Sequence, residues 1–144
     1  MSGEIVFFDT NTLVYANDGA DPAKRVRARE VIREAIITGT GCISTQVLAE
    51  FWVTVTKKLK RPLSVELARE QIHLFSAFRI MPVEQTTVLE TLRIQERWQL
   101  SYWDAQILAS ALQARASSVY SEDLQDGCII EGISVTNPFN SLQK

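Results

Sequence analysis

The chain has 144 residues, of which 46% are hydrophobic and 22% charged, with a formal net charge of −2 at pH 7. This length and apolar content suit a single domain, residues 1–144, around one core of ordinary size, and they argue against two domains. The small negative charge excludes binding to nucleic acid by bulk charge alone, so any contact with a polyanion has to be local.

Glu4-Ile5-Val6-Phe7-Phe8 is an apolar run of strand-favouring residues that stops at Asp9-Thr10-Asn11, and it reads as a central strand buried on both faces. Asp21 and Pro22 supply an N-cap and a first helical residue, and Val26, Ile32, Ala35 and Ile36 give that helix an inward face as far as Gly39 and Gly41. Gly41-Cys42-Ile43 is a minimal second strand. Ser44 or Thr45 then caps a helix whose apolar stripe includes Leu48, Trp52, Val55 and Leu59, and Pro62 ends it. Ser64 opens another helix to about Phe78, Arg79 to Val83 is expected as a third strand, and Thr87 with Glu90 has the capping-box pattern of a helix reaching Trp98. The next helix begins near Ser101 and carries Ile107, Leu108, Ala111 and Leu112 on one side. Ser117 to Tyr120 reads as a strand, Asp123 to Gly127 as a turn, and Ile133 to Thr136 as a last strand before Asn137-Pro138. This alternation predicts an α/β sandwich around a mainly parallel sheet flanked by helices.

The longest apolar stretches are too short to span a bilayer or to form the core of a signal peptide, so a cytoplasmic protein with no membrane partner is expected. Cys42 and Cys128 lie in apolar contexts without metal-ligand spacing and are expected to be buried thiols, and the single His73 leaves no histidine cluster for zinc. Two basic clusters could meet a polyanion locally: Lys24, Arg25, Arg27 and Arg29, and then Lys57, Lys58, Lys60 and Arg61. Runs of this kind are more often solvated helix faces.

In a parallel sheet with helical crossovers, strand C-ends and helix N-ends share one rim, where such folds bind ligands. Asp9 follows the first strand, Asp123 lies just beyond the strand ending at Tyr120, Asp104 is in the first turn of its helix and Glu50 in the second turn of its own. All four are expected on that rim. Asp104 shares a face with Ile107, Leu108 and Ala111, and Glu50 lies one turn from Val47 and Thr54, so both aim inward. Two carboxylates about 5 Å apart repel by roughly 3 kcal/mol at an effective dielectric of about 20. Mg²⁺ or Mn²⁺ offsets that repulsion and keeps positions open for water and phosphate, so a site of carboxylates without histidine points to phosphoryl chemistry. Each acid also has a structural reading: Asp9 as a cap or turn residue, Asp104 as the acidic member of a Ser101 capping box, Asp123 as a turn aspartate, and Glu50 as an ordinary helix glutamate. Glu122 and Asp126 adjoin Asp123 and could assist it or substitute for it.

Phe8-Asp9-Thr10-Asn11-Thr12-Leu13-Val14-Tyr15-Ala16 resembles the opening motif of PIN-domain nucleases. Ser44 to Phe51, Leu100 to Ile107 and Tyr120 to Gly127 resemble the second, third and fourth motifs, in order, across nearly the whole chain. The compact length is similar to the toxin members of toxin–antitoxin pairs, often called VapC-type. The resemblance implies a three-layer sandwich with strand order 3-2-1-4-5 and a magnesium-dependent RNA endonuclease, commonly dimeric and held inactive by an antitoxin. It places Asp9, Glu50, Asp104 and Asp123 at the four acidic positions, with Asn11 and Ser121 supporting them through hydrogen bonds. Asp9 and Asp104 are then expected to hold the principal ion, with Glu50 and Asp123 completing its outer shell or holding a second.

Two rivals stand beside this reading. A phosphatase of the haloacid dehalogenase type wants a second Asp two residues after the first, where this chain has Asn11. A PIN-like module that binds RNA or protein without cutting would not need its acids intact. A protein inhibitor could silence the acid rim by placing an Arg or Lys among the carboxylates. The apolar surface it would cover is expected on the helices that carry Trp52 and Phe75.

Overall fold

The structure is a computed structural model and describes residues 3–143. Strand β1 (Val6–Phe8) lies between β2 (Gly41–Ser44) and β4 (Ser118–Tyr120) and pairs in parallel with both. Phe7 and Phe8 are wholly buried, as a strand apolar on both faces requires. β3 (Arg79–Met81) continues the parallel sheet beyond β2, and β6 (Ile133–Thr136) continues it beyond β4. These five strands follow the expected order, with helices on both sides of the sheet. A sixth strand was not expected: β5 (Ile129–Ile130) pairs antiparallel with β6 at the sheet edge. The two residues between them, Glu131 and Gly132, both take positive φ, the geometry of a tight hairpin turn that suits the twist of paired strands.

Helix α1 (Thr10–Tyr15) starts directly at the end of β1, where only the short polar stretch from Asp9 to Thr12 separates two apolar runs. α2 (Pro22–Thr38) begins as expected, with the Asp21 carboxylate accepting from the Lys24 N–H at 3.1 Å, and ends at Gly39 in the left-handed conformation. Its inward face is Ala28, Val31, Ile32 and Ala35, a strict helical spacing, whereas Val26 and Ile36 turn outward.

Ser44 caps α3 (Thr45–Val53) by accepting from the Val47 N–H at 3.3 Å. The segment then widens into a π-type turn over Thr54–Lys58, and its deepest line is Val47, Phe51 and Val55. α4 (Val65–Leu74) is capped by Ser64 and followed by a tight turn at Phe75–Ala77. The Phe75 ring packs at 4.9 Å from Phe51 and is buried in the core.

α5 (Gln85–Trp98) starts before the expected cap. Glu84 is the N-cap and its N–H donates to Thr87 Oγ1 at 3.1 Å, so Thr87 completes a capping box from inside the helix. α6 (Tyr102–Gln113) follows the Ser101 cap and is buried from Ala105 to Ala111. Cys42 is buried as expected, but Cys128 is only partly so, because it lies in the loop leading to the edge strand. Among the described residues no helix is long and apolar enough to cross a membrane.

Candidate metal centre

Asp9 ends β1 and caps α1, its Oδ1 accepting from the Thr10 N–H at 2.7 Å. Its backbone is fixed by donation from the Asp9 N–H to the Tyr120 carbonyl at 3.0 Å. The second oxygen, Oδ2, accepts from the wholly buried Ser121 hydroxyl at 2.8 Å. Ser121 Oγ in turn accepts from the N–H groups of Asp123 and Leu124, at 3.2 and 3.4 Å. One hydroxyl therefore fastens the end of β1 to the loop after β4. Asn11, in the first turn of α1, donates from Nδ2 to Asp123 Oδ2 at 3.1 Å.

Asp104 approaches from the first turn of α6. The Ser101 hydroxyl accepts from the Asp104 backbone N–H at 3.2 Å, and among the described residues the Ser101 N–H makes no reciprocal bond to the Asp104 carboxylate. The carboxylate is thus free of the capping task. One oxygen from each of Asp9, Asp104 and Asp123 lies within 4.8 Å of the others, the one such group of metal-ligating side chains among the described residues.

Glu50 is not part of that group. It is exposed on α3, where Oε1 accepts from Gln46 Nε2 one turn earlier at 2.9 Å and from Thr10 Oγ1 at 3.4 Å. The shared rim brings Glu50 next to the triad, but its own helix holds the side chain one residue away, through Thr10. Glu122 does not join the triad either: it accepts from the Tyr15 hydroxyl at 2.7 Å and pairs with Lys24. That pairing also removes Lys24 from the cations free to meet a polyanion. Asp126, expected as a supporting acid, instead ties the C-terminal segment, accepting from the Asn137 N–H and from Asn140 Nδ2, both at 2.7 Å.

Burial pushes the Asp9 carboxyl up to about 6, and the charges of Asp123 and Glu50 push the same way, against the hydrogen bonds from Ser121 and Thr10. Asp123, although open to solvent on one side, is also raised, first by partial desolvation and then by the charges of Asp104 and Glu122. Carboxyls raised first by desolvation and further by one another's charge, with no cationic side chain of the described residues among them, are a local deficit of positive charge. The donors are all hard oxygens, the set that Mg²⁺ and Mn²⁺ take. Two oxygens on one Mg²⁺ lie at most about 4.2 Å apart, so the 4.8 Å spread closes on a small dication with a short inward movement of the carboxylates. The residues present fit such an ion.

Sequence reasoning missed a second polar chain beside the acids. The Tyr102 hydroxyl donates to Gln106 Oε1 at 2.8 Å, Gln106 Nε2 donates to Gln46 Oε1 at 2.9 Å, and Gln46 passes the chain on to Glu50. The one-turn spacings of Tyr102 with Gln106 and of Gln46 with Glu50 were visible in the sequence. Their meeting across α3 and α6 was not.

A family model described as PIN domain matches residues 6–125. No curated protein sequence matches. Among solved structures, a toxin–antitoxin complex from Klebsiella pneumoniae is similar over 92% of this chain and 97% of that one, at 22% identity and a TM-score of 0.70. VapC20 of Mycobacterium tuberculosis, a sarcin–ricin loop cleaving toxin, is similar over 82% of this chain and 89% of that one, at 18% identity and a TM-score of 0.66. VapBC2 of Rickettsia felis, bound to a DNA fragment from its promoter, is similar over 91% and 96%, at 18% identity and a TM-score of 0.65. At these identities the likeness to solved structures is one of fold.

Proposed function

The chain belongs to the PIN domain family, and from that premise we propose that it is a magnesium-dependent endoribonuclease, the toxin of a toxin–antitoxin pair. The observation that carries the reading is the convergence of three aspartate oxygens within 4.8 Å from three separate segments of the chain. Asp9, Asp104 and Asp123 would hold Mg²⁺, with Mn²⁺ as a substitute, and Glu50 would act from beside them. When bound, such an ion supplies a water of lowered pKa and offsets charge on the scissile phosphate.

The chain's own residues do the rest. Ser121 and Thr10 fix both oxygens of Asp9, so its orientation is set before any ligand arrives. Asn11 orients Asp123, and the Ser101 cap holds the start of α6 so that Asp104 faces the other two. Glu50, held by Gln46 and Thr10, would take a proton from an attacking water or orient it. Partners follow from the same reading: an RNA substrate, a cognate antitoxin as in the Klebsiella complex, and a second copy of the chain, all in the cytoplasm.

The test is cleavage of an end-labelled single-stranded RNA. The wild-type protein should cut it internally in Mg²⁺ and not in chelator, and Asp9→Asn should fold normally and not cut. Equal cleavage by Asp9→Asn would remove the aspartates from the mechanism. Tight RNA binding by the wild type without cleavage in any divalent ion would favour a binding module.

A further inference from the structure

Beside the acid triad runs an open groove of about 440 Å³ between α3 and the start of α6. Its walls are apolar at Ala49, Val53 and Val83, and Trp103 stands at its edge with 61% of its surface exposed. An exposed ring of that size next to a candidate active site asks for an occupant. Trp103 directly precedes Asp104, and the Tyr102 ring packs against the indole with centroids 5.0 Å apart and planes at 89°. Glu50 lines the same groove and also touches Thr10 beside Asp9, so groove and acids share a wall. At the other end stands exposed Lys58, from the second basic cluster, with Lys57 next to it in sequence.

From this arrangement we propose that the groove is a nucleobase subsite: the base adjoining the scissile phosphate stacks on Trp103, and the next phosphate meets Lys58. The proposal rests on the ribonuclease reading for its direction, since a strand whose phosphate lies at the aspartates must send a neighbouring nucleotide along this wall. The charge order agrees, with acids where an ion would bridge to phosphate and a lysine where phosphate would be met directly. Stacking tolerates any base because every base has a π face. The amides of Gln46 and Gln106, which also line the groove, are already engaged with each other, with Glu50 and with Tyr102.

The experiment uses the Asp9→Asn protein in chelator, so that RNA stays whole, and follows tryptophan fluorescence while single-stranded hexa-adenylate is added. An abasic ribose-phosphate strand of the same length is the control. Adding Trp103→Ala should remove most of the fluorescence change and weaken hexa-adenylate binding about tenfold, with Trp103→Phe keeping most of the affinity. Binding of the abasic strand should be the same with and without Trp103. Lys58→Gln should lower the salt slope of binding by about one. Unchanged hexa-adenylate binding in Trp103→Ala, or an equal loss for the abasic strand, overturns the subsite, as does failure of hexa-adenylate to bind; the groove would then be left for a peptide of a protein partner. The two readings separate cleanly. RNA cleavage by the wild type without Trp103-dependent binding sinks the subsite alone, and Trp103-dependent binding without cleavage sinks the nuclease alone.

Discussion

Ser121 reaches Asp9 across 112 positions of sequence, its hydroxyl donating to Asp9 Oδ2 at 2.8 Å while accepting from the N–H groups of Asp123 and Leu124. Removing it should therefore disturb two acids at once. Ser121→Ala is expected to weaken Mg²⁺ binding or cleavage by about 10- to 100-fold, the usual effect of losing a group that orients a metal ligand. It should also lower stability by about 1 to 3 kcal/mol, because buried partners lose their bond. A metal titration and a denaturant melt on the same variant check both. Wild-type Mg²⁺ affinity in Ser121→Ala would show that the hydroxyl orients nothing of consequence.

Asp9 gives the metal-free protein a pH dependence of known sign. Its carboxyl titrates near 6 in the folded chain and near 3.8 in a solvated one. Between these values the folded state binds more protons than the unfolded state, so stability is greatest below the unfolded pKa and falls as pH rises through the folded one. The fall attributable to Asp9 is on the order of 3 kcal/mol between about pH 4 and pH 6. Urea melts in chelator across this range should show it, and Asp9→Asn should flatten the profile and be the more stable protein near neutral pH. A difference between the two proteins that does not change with pH would contradict the raised pKa.

Asp104 separates a capping role from a site role. The Ser101 hydroxyl caps α6 through the Asp104 backbone, which leaves the carboxylate with no part in the cap. Asp104→Asn should leave metal-free stability unchanged or raise it while cleavage collapses. Ser101→Ala should cost about 1 kcal/mol of stability. Thermal melts beside cleavage rates decide this, and a destabilised Asp104→Asn with normal activity would restore the capping reading.

Gly41 carries a packing prediction. A Cβ at this position would lie 2.4 Å from two carbons of the Phe78 ring and 3.1 Å from Ala35 Cβ, so β2 needs a glycine there for the ring to close over it. Gly41→Ala should destabilise by about 1 to 3 kcal/mol. A melt midpoint equal to wild type would mean that the ring moves aside without cost.

The parts of the fold legible in the sequence are those where a local signal had no competitor. The Asp21–Pro22 helix start, the Phe7–Phe8 strand and the Ser101 cap are of this kind. α1 was hidden because Leu13 and Val14 follow the β1 residues after only a short polar gap. β5 was hidden because a two-residue strand has no period to detect. Glu84 was passed over as a cap because its partner Thr87 itself looks like one. For the site, topology put four acids on one rim, and the structure brings three of their oxygens together. Where Glu50 stops depends on its bond to Gln46, a distance that rim placement does not contain.

Inhibition by a partner follows from the same charges. A basic side chain placed among Asp9, Asp104 and Asp123 would offset their repulsion as an ion does, without supplying a water for attack. Binding of a cognate antitoxin should therefore compete with Mg²⁺ and weaken when Asp9 and Asp104 are both changed to Asn. Calorimetric titrations at several Mg²⁺ concentrations read this directly, and affinity independent of Mg²⁺ would place the inhibitory contact elsewhere.

On the proposed function, the aspartate triad holds the ion that enables RNA cleavage. The most direct measurement follows the cleavage rate of a single-stranded RNA while Mn²⁺ is titrated, with bound Mn²⁺ counted by electron paramagnetic resonance in the same samples. The rate should rise in proportion to occupancy in the wild type, and both should be lost in the protein carrying Asp9→Asn and Asp104→Asn. Cleavage that persists in fully chelated protein, or Mn²⁺ binding that survives the double change, would contradict it.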